Sequence, residues 1–97
     1  MTVTSTKNVV YLLHFDRPLC HAKHYMGSSA DLLARLGQHA SGHGARLMGV
    51  ITELGITWRL SRVWQFETLK EARLAESRYK RTYKNSCKLC PICREKV

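Results

Sequence analysis

Acidic residues are scarce in this chain of 97 amino acids: seven Asp and Glu stand against sixteen Lys and Arg, a formal net charge of +9. An excess of that size on 11.1 kDa points to a polyanionic partner, with nucleic acid first and an anionic membrane surface second. Long apolar runs are missing as well. None approaches the roughly 20 residues that span a bilayer, and the first residues, MTVTSTKNVVYLL, do not have the shape of a signal peptide. The expectation is a cytoplasmic protein with no membrane partner. Internal repeats and low-complexity segments are absent, and the length leaves room for a single hydrophobic core. The apolar fraction of 44% and mean hydropathy of -0.28 are ordinary for a globular domain, which disfavours wholesale disorder.

Cysteine is nearly absent until the end, where Cys87, Cys90 and Cys93 crowd into the last eleven residues. That spacing suits metal ligation or reduced thiols better than a disulfide framework. A closed zinc site wants four ligands. Cys20, His21 or His24 would supply the fourth if the tail folds back on the chain, and three free thiols in a basic tail stand as the even alternative.

Val9 to Leu13 is a β-branched and aromatic run that reads as a strand, and Tyr25-Met26 as part of a second. FDRPLCHAKH between them reads as a hairpin connection of more than minimal length. Ser28 with Asp31 resembles a capping box, so a helix is expected from there, with Leu32, Leu33, Leu36 and Ala40 on its inner face and Arg35 and His39 along its edge. A second helix is expected over 46–54 with Leu47, Val50, Ile51 and Leu54 as its stripe and Gly55 as its stop. Alternation of Trp58, Leu60, Arg62, Trp64 and Phe66 predicts a third strand. Thr68 then caps a last helix to about residue 84, whose stripe is Leu69, Ala72, Ala75, Glu76, Tyr79 and Tyr83. The order is β-β-α-α-β-α, an α+β domain over 1–84 followed by a basic Cys-rich tail over 85–97.

Glu76 is the most informative single residue, because a carboxylate in an apolar stripe must find a cation, a metal or a proton. One reading pairs it with an arginine. The other makes it a ligand of Mg²⁺, which is commonly held by one or two carboxylates with waters and substrate phosphates completing the shell. Arg35 and His39 are either a solvated face or a cation and a proton carrier beside a phosphate. Tyr11 and Tyr25 are by default half-buried sheet residues.

The segments Val9-Val10-Tyr11, Tyr25-Met26-Gly27 and Ser28 through His39, in that order, resemble the GIY-YIG nuclease superfamily, as does the Ala72-x-x-x-Glu76 segment of the last helix. Val9 and Met26 depart from the Gly and Ile of the two tripeptides, while Tyr11, Tyr25 and Gly27 remain. The resemblance implies a three-stranded antiparallel sheet flanked by helices and a metal-dependent endonuclease acting on DNA. In it Glu76 would hold one Mg²⁺ or Mn²⁺, Tyr11 would act as general base, Tyr25 would position phosphate or water, Arg35 would neutralise developing charge, and His39, ahead of His43, would serve the leaving oxygen. Gly27 would let the backbone turn tightly beside the site. A domain this small leaves little room for sequence readout, so structured, damaged or nicked DNA is the expected substrate, in repair or recombination. Residues 70–96 carry nine Lys and Arg against three Glu, and His43, Arg46, Arg73, Lys80 and Lys84 are the expected nucleic-acid contacts. A catalytically silent nucleic-acid-binding module, with or without a zinc-stapled tail, is the alternative.

Overall fold

The protein is described by a computed structural model over residues 7–19, 22–83 and 86–95, with the side chains of residues 86, 94 and 95 outside the description. Strands β1 (Lys7–Leu19) and β2 (Ala22–Asp31) form an antiparallel hairpin; α1 (Leu32–Ala40) and α2 (Arg46–Glu53) follow, then β3 (Trp58–Gln65) and α3 (Leu69–Thr82). The tail adds a 3₁₀ turn (Ser86–Leu89) and a short α4 (Pro91–Glu95). The sheet order is β2-β1-β3, with both pairs antiparallel. Among the described residues no helix is long and apolar enough to cross a membrane.

The buried central strand β1 organises the molecule. Its residues 9–13 are fully buried, and period-2 alternation sends them to two different cores. Val9, Tyr11, Leu13 and Phe15 join Leu32, Met48, Ile51 and Ile56 under α1 and α2. Val10 and Leu12 join Met26, Ala72, Leu89 and Cys90 under α3 and the tail. The tail residues Leu89 and Cys90 are therefore part of the second core.

Several local expectations are corrected. The hairpin connection is far shorter than the sequence suggests, because both strands continue through most of FDRPLCHAKH, with a register irregularity between His14 and Leu19 that accommodates Pro18. Ser28 does not cap α1. The β1–β2 ladder runs on through Val9↔Ser29 to Lys7↔Asp31, so the helix starts later, and Asp31 is the N-cap, accepting from the Ala34 amide. Leu33, at 67% exposure, and Ala40 face out; the inner stripe is Leu32, Leu36 and the buried His39, the i, i+4, i+7 set. In α2 the buried residues are Met48 and Ile51, while Val50 and Leu54 are exposed.

Gly55 ends α2 as expected. Its φ of +71° is the left-handed conformation, and its amide bonds to Thr52 O while the Ile56 amide bonds to Ile51 O, the two bonds of a Schellman motif, with Ile51 and Ile56 packed together in the core. In β3 the simple alternation fails at Ser61: Leu12 pairs with Arg62 but Leu13 with Leu60, leaving Ser61 as a bulge. Trp58 therefore packs on the α1–α2 side and Trp64 and Phe66 on the α3 side. Thr68 caps α3, accepting from the Glu71 amide and donating to the Glu71 carboxylate.

Candidate active site and the tail cluster

Tyr11 sits at the middle of β1 with Gly27 as its cross-strand partner on β2, and its side chain faces the core under α1 and α2. The reason for glycine here is space rather than a turn. A Cβ at position 27 would lie 2.6 Å from the Tyr11 hydroxyl and 2.8 Å from Cζ, which means that the phenol lies across the bare backbone of β2. Tyr25, two residues along the same face, has its ring 6.1 Å from that of Tyr11.

His39 reaches this pair from the last turn of α1. It is not an edge residue: it is completely buried, with Nε2 2.8 Å from the Tyr11 hydroxyl and its ring edge-on to Tyr25 at 5.2 Å. Its Nδ1 finds no hydrogen-bond partner among the described residues. Burial, reinforced by the Arg35 charge, pushes the imidazole pKa down to about 4, so the ring is neutral at physiological pH. Burial likewise drives the Tyr11 phenol up to about 12, with Arg35 pulling in the opposite direction. Arg35, one helical turn before His39, donates from Nη1 to Gln38 Oε1 at 2.9 Å; its guanidinium pKa is held up chiefly by Tyr11. The structure thus gathers Tyr11, Tyr25, Arg35 and His39, two phenols, a fixed cation and a neutral imidazole, on one side of the sheet.

Glu76 stands elsewhere. It belongs to α3, and its Oε1 accepts from Ser28 Oγ at 2.6 Å while its Oε2 pairs with Lys80 Nζ at 2.6 Å. Ser28 pairs with Val10, so its side chain lies on the α3 face of the sheet, opposite Tyr11. The cation that the sequence requires for Glu76 is a lysine one turn on in the same helix. The carboxylate remains 20% exposed and next in sequence contact to Gly27 through Ser28. Of the expected phosphate contacts, His43, Arg46, Arg73 and Lys80 are exposed, and Lys84 lies outside the described residues.

A second group of chemically capable side chains was only half visible in the sequence. Cys90 and Cys93 meet His14 and His24, cross-strand partners in the hairpin, with all four ligand atoms within 4.8 Å of one another. Burial pushes the His24 imidazole down to about 4, helped by His14 and Lys23, and pushes the Cys93 thiol up to about 12, helped by Cys87 and Cys90. Cys87 is not in the four-atom group; it lines an adjoining cleft of about 390 Å³ with His14, Asp16, Lys23 and Cys93. Cys20 and His21 lie outside the described residues. His14 was missed because it looks like the last residue of an apolar strand; its signal is the cross-strand register with His24, which requires the strands' true lengths.

A family model described as the GIY-YIG catalytic domain matches residues 7–89. No curated protein sequence and no solved structure matches the chain significantly.

Proposed function

The chain belongs to the GIY-YIG nuclease family, and from that premise we propose that it is a metal-dependent endonuclease that hydrolyses phosphodiester bonds in DNA, in the cytoplasm and on structured, damaged or nicked substrates. The observation that carries this reading is the convergence of Tyr11, Tyr25, Arg35 and His39 on one face of the hairpin. Arg35 offers a fixed positive charge where charge develops on an attacked phosphate. Tyr25 orients phosphate or water beside it. His39, neutral and buried, fixes the Tyr11 hydroxyl at 2.8 Å and contributes position rather than charge.

Tyr11 as general base carries a specific demand. A phenol near pKa 12 is protonated at neutral pH, and Arg35 is the neighbour that favours its phenolate. Activity assigned to Tyr11 therefore rises with pH well past neutrality, and Tyr11→Phe abolishes that limb of the profile. For the divalent cation of the family, Glu76 is the carboxylate available: a hard oxygen donor, partly exposed, with a hydroxyl beside it, which fits Mg²⁺ or Mn²⁺ when waters and substrate complete the shell. Such a cation, when bound, supplies Lewis-acid stabilisation. Lys80 now neutralises the same carboxylate, and this ion pair is what favours the second reading, a nucleic-acid-binding module without turnover.

Cleavage of plasmid, branched and single-stranded DNA with Mg²⁺ or Mn²⁺ separates the two. The nuclease predicts cleavage that Arg35→Ala and Glu76→Ala each reduce by about a hundredfold or more. Full-rate cleavage by both variants removes the proposed mechanism, and salt-sensitive DNA binding with no cleavage establishes the silent module.

A further inference from the structure

The distances in the tail cluster are those of a coordination shell. His14 Nδ1 lies 3.3 Å from His24 Nε2, 3.5 Å from Cys90 Sγ and 3.6 Å from Cys93 Sγ, and Cys93 Sγ lies 3.3 Å from His24 Nε2. Tetrahedral zinc, with bonds of about 2.0 Å to nitrogen and about 2.3 Å to sulfur, sets neighbouring nitrogens about 3.3 Å apart and nitrogen from sulfur about 3.5 Å. Four of the six edges of the group lie within about 0.3 Å of these values, and all six are within 4.8 Å. A chain of hydrogen bonds explains any one of these approaches; a common centre explains why they are short together.

The rest of the site fits the same ion. Two thiols and two imidazoles are soft and borderline donors, suited to zinc and poorly suited to Mg²⁺ or Ca²⁺. Cys90 is fully buried and His14 is 4% exposed, while His24 and Cys93 are half-buried beside the cleft, so the shell is largely shielded from solvent. The bulge at Ser61 turns its hydroxyl to within 2.9 Å of Cys90 Sγ, the kind of outer donor that steadies a ligating thiolate.

We propose that His14, His24, Cys90 and Cys93 bind one structural Zn²⁺ that staples the tail to the turn-side half of the β1–β2 hairpin. Binding displaces the two thiol protons to solvent, so the centre of two thiolates, two neutral imidazoles and Zn²⁺ is formally neutral. Four protein ligands leave no open position, which makes the site structural rather than catalytic. Its two cysteines lie beyond the family match, which ends at residue 89, so the centre ties the nuclease domain to the segment that follows it. Leu89 and Cys90 also help to close the second core, and a metal staple is what lets so short a segment contribute to it.

The test is metal analysis of the full chain purified under reducing conditions without chelator. The expected content is one zinc per chain, lost in His24→Ala and in Cys93→Ser but kept in Cys87→Ser and in Glu76→Ala. Replacement by Co²⁺ should give the visible bands of a tetrahedral site and a thiolate charge-transfer band. If the variants fail to fold, the wild-type chain serves: chelation should make Cys93 reactive to alkylation, and added zinc should protect it. The proposal is overturned by a folded chain that binds neither zinc nor cobalt, by a Cys90–Cys93 disulfide, by another metal in stoichiometric amount, or by zinc that depends on Cys87 or Glu76 instead of His24. None of these readouts requires DNA cleavage, so the staple and the nuclease stand or fall separately.

Discussion

Replacing Gly44 by alanine tests the packing that holds His39 against Tyr11. A Cβ at position 44 would stand 2.1 Å from His39 Nδ1, 2.7 Å from Cε1 and 3.0 Å from Cγ. Ordinary contact needs about 3.5 Å, so the ring has to withdraw by more than ~1 Å. It has no free direction: the imidazole is completely buried, with the Tyr11 hydroxyl at 2.8 Å and the Tyr25 ring at 5.2 Å on its other sides. Overpacking of this kind costs about 1–3 kcal/mol, and loss of the Tyr11–His39 hydrogen bond adds about 0.5–1.5 kcal/mol. A total of ~2–4 kcal/mol lowers Tm by roughly 10–20 °C in a domain of this size. Circular dichroism on heating and in urea measures it. A loss under ~0.5 kcal/mol, the range of an ordinary surface substitution, refutes the reasoning. The double-mutant cycle is sharper still. In a His39→Ala background the new methyl enters the vacated space, so Gly44→Ala should cost little; an equal cost in both backgrounds places the strain elsewhere.

Three further outcomes are expected. His39 titrates near pH 4 when folded and near 6.5 when unfolded, so the unfolded chain takes up the extra proton and stability falls as pH drops through that window. Up to about 3 kcal/mol is involved, and an acid slope in His39→Gln identical to wild type would contradict the assignment. Gly55→Ala, with no atom within 4 Å of the new Cβ but a backbone φ of +71°, should cost about 1–2 kcal/mol through conformation alone; an unchanged urea midpoint would show that α2 can end in another way. If about five phosphates are neutralised, log affinity for DNA falls against log salt with a slope near -4.5, and Arg73→Gln should reduce that slope by about 1; affinity indifferent to salt would remove the basic surface from the interface.

The short-range parts of this structure were legible in the sequence. The β-branched run of β1, the Thr68 cap of α3 and the Gly55 stop each depend on a few neighbouring residues, and each is found. Other features obeyed long-range contacts. Ser28 looked like a cap, but pairing of β2 with β1 carried the strand past it to Asp31. The alternation in β3 read as one face, but the bulge at Ser61 divides it between two cores. Gly27 looked like a turn residue and instead makes room for a phenol from the neighbouring strand.

By itself the sequence determined the order of the elements and brought Tyr11, Tyr25, Arg35 and His39 within one motif, because periods of two and 3.6 are properties of the backbone and travel with the chain. Only the tertiary structure decided how those groups behave and who their partners are. Burial made Tyr11 a weak acid and His39 a neutral ring. The α3 packing set Glu76 beside Ser28 on the other face of the sheet. The tail carried Cys90 to His14, 76 residues away along the chain. Desolvation and contacts between distant residues exist only once the chain has closed on itself, and no local pattern encodes them.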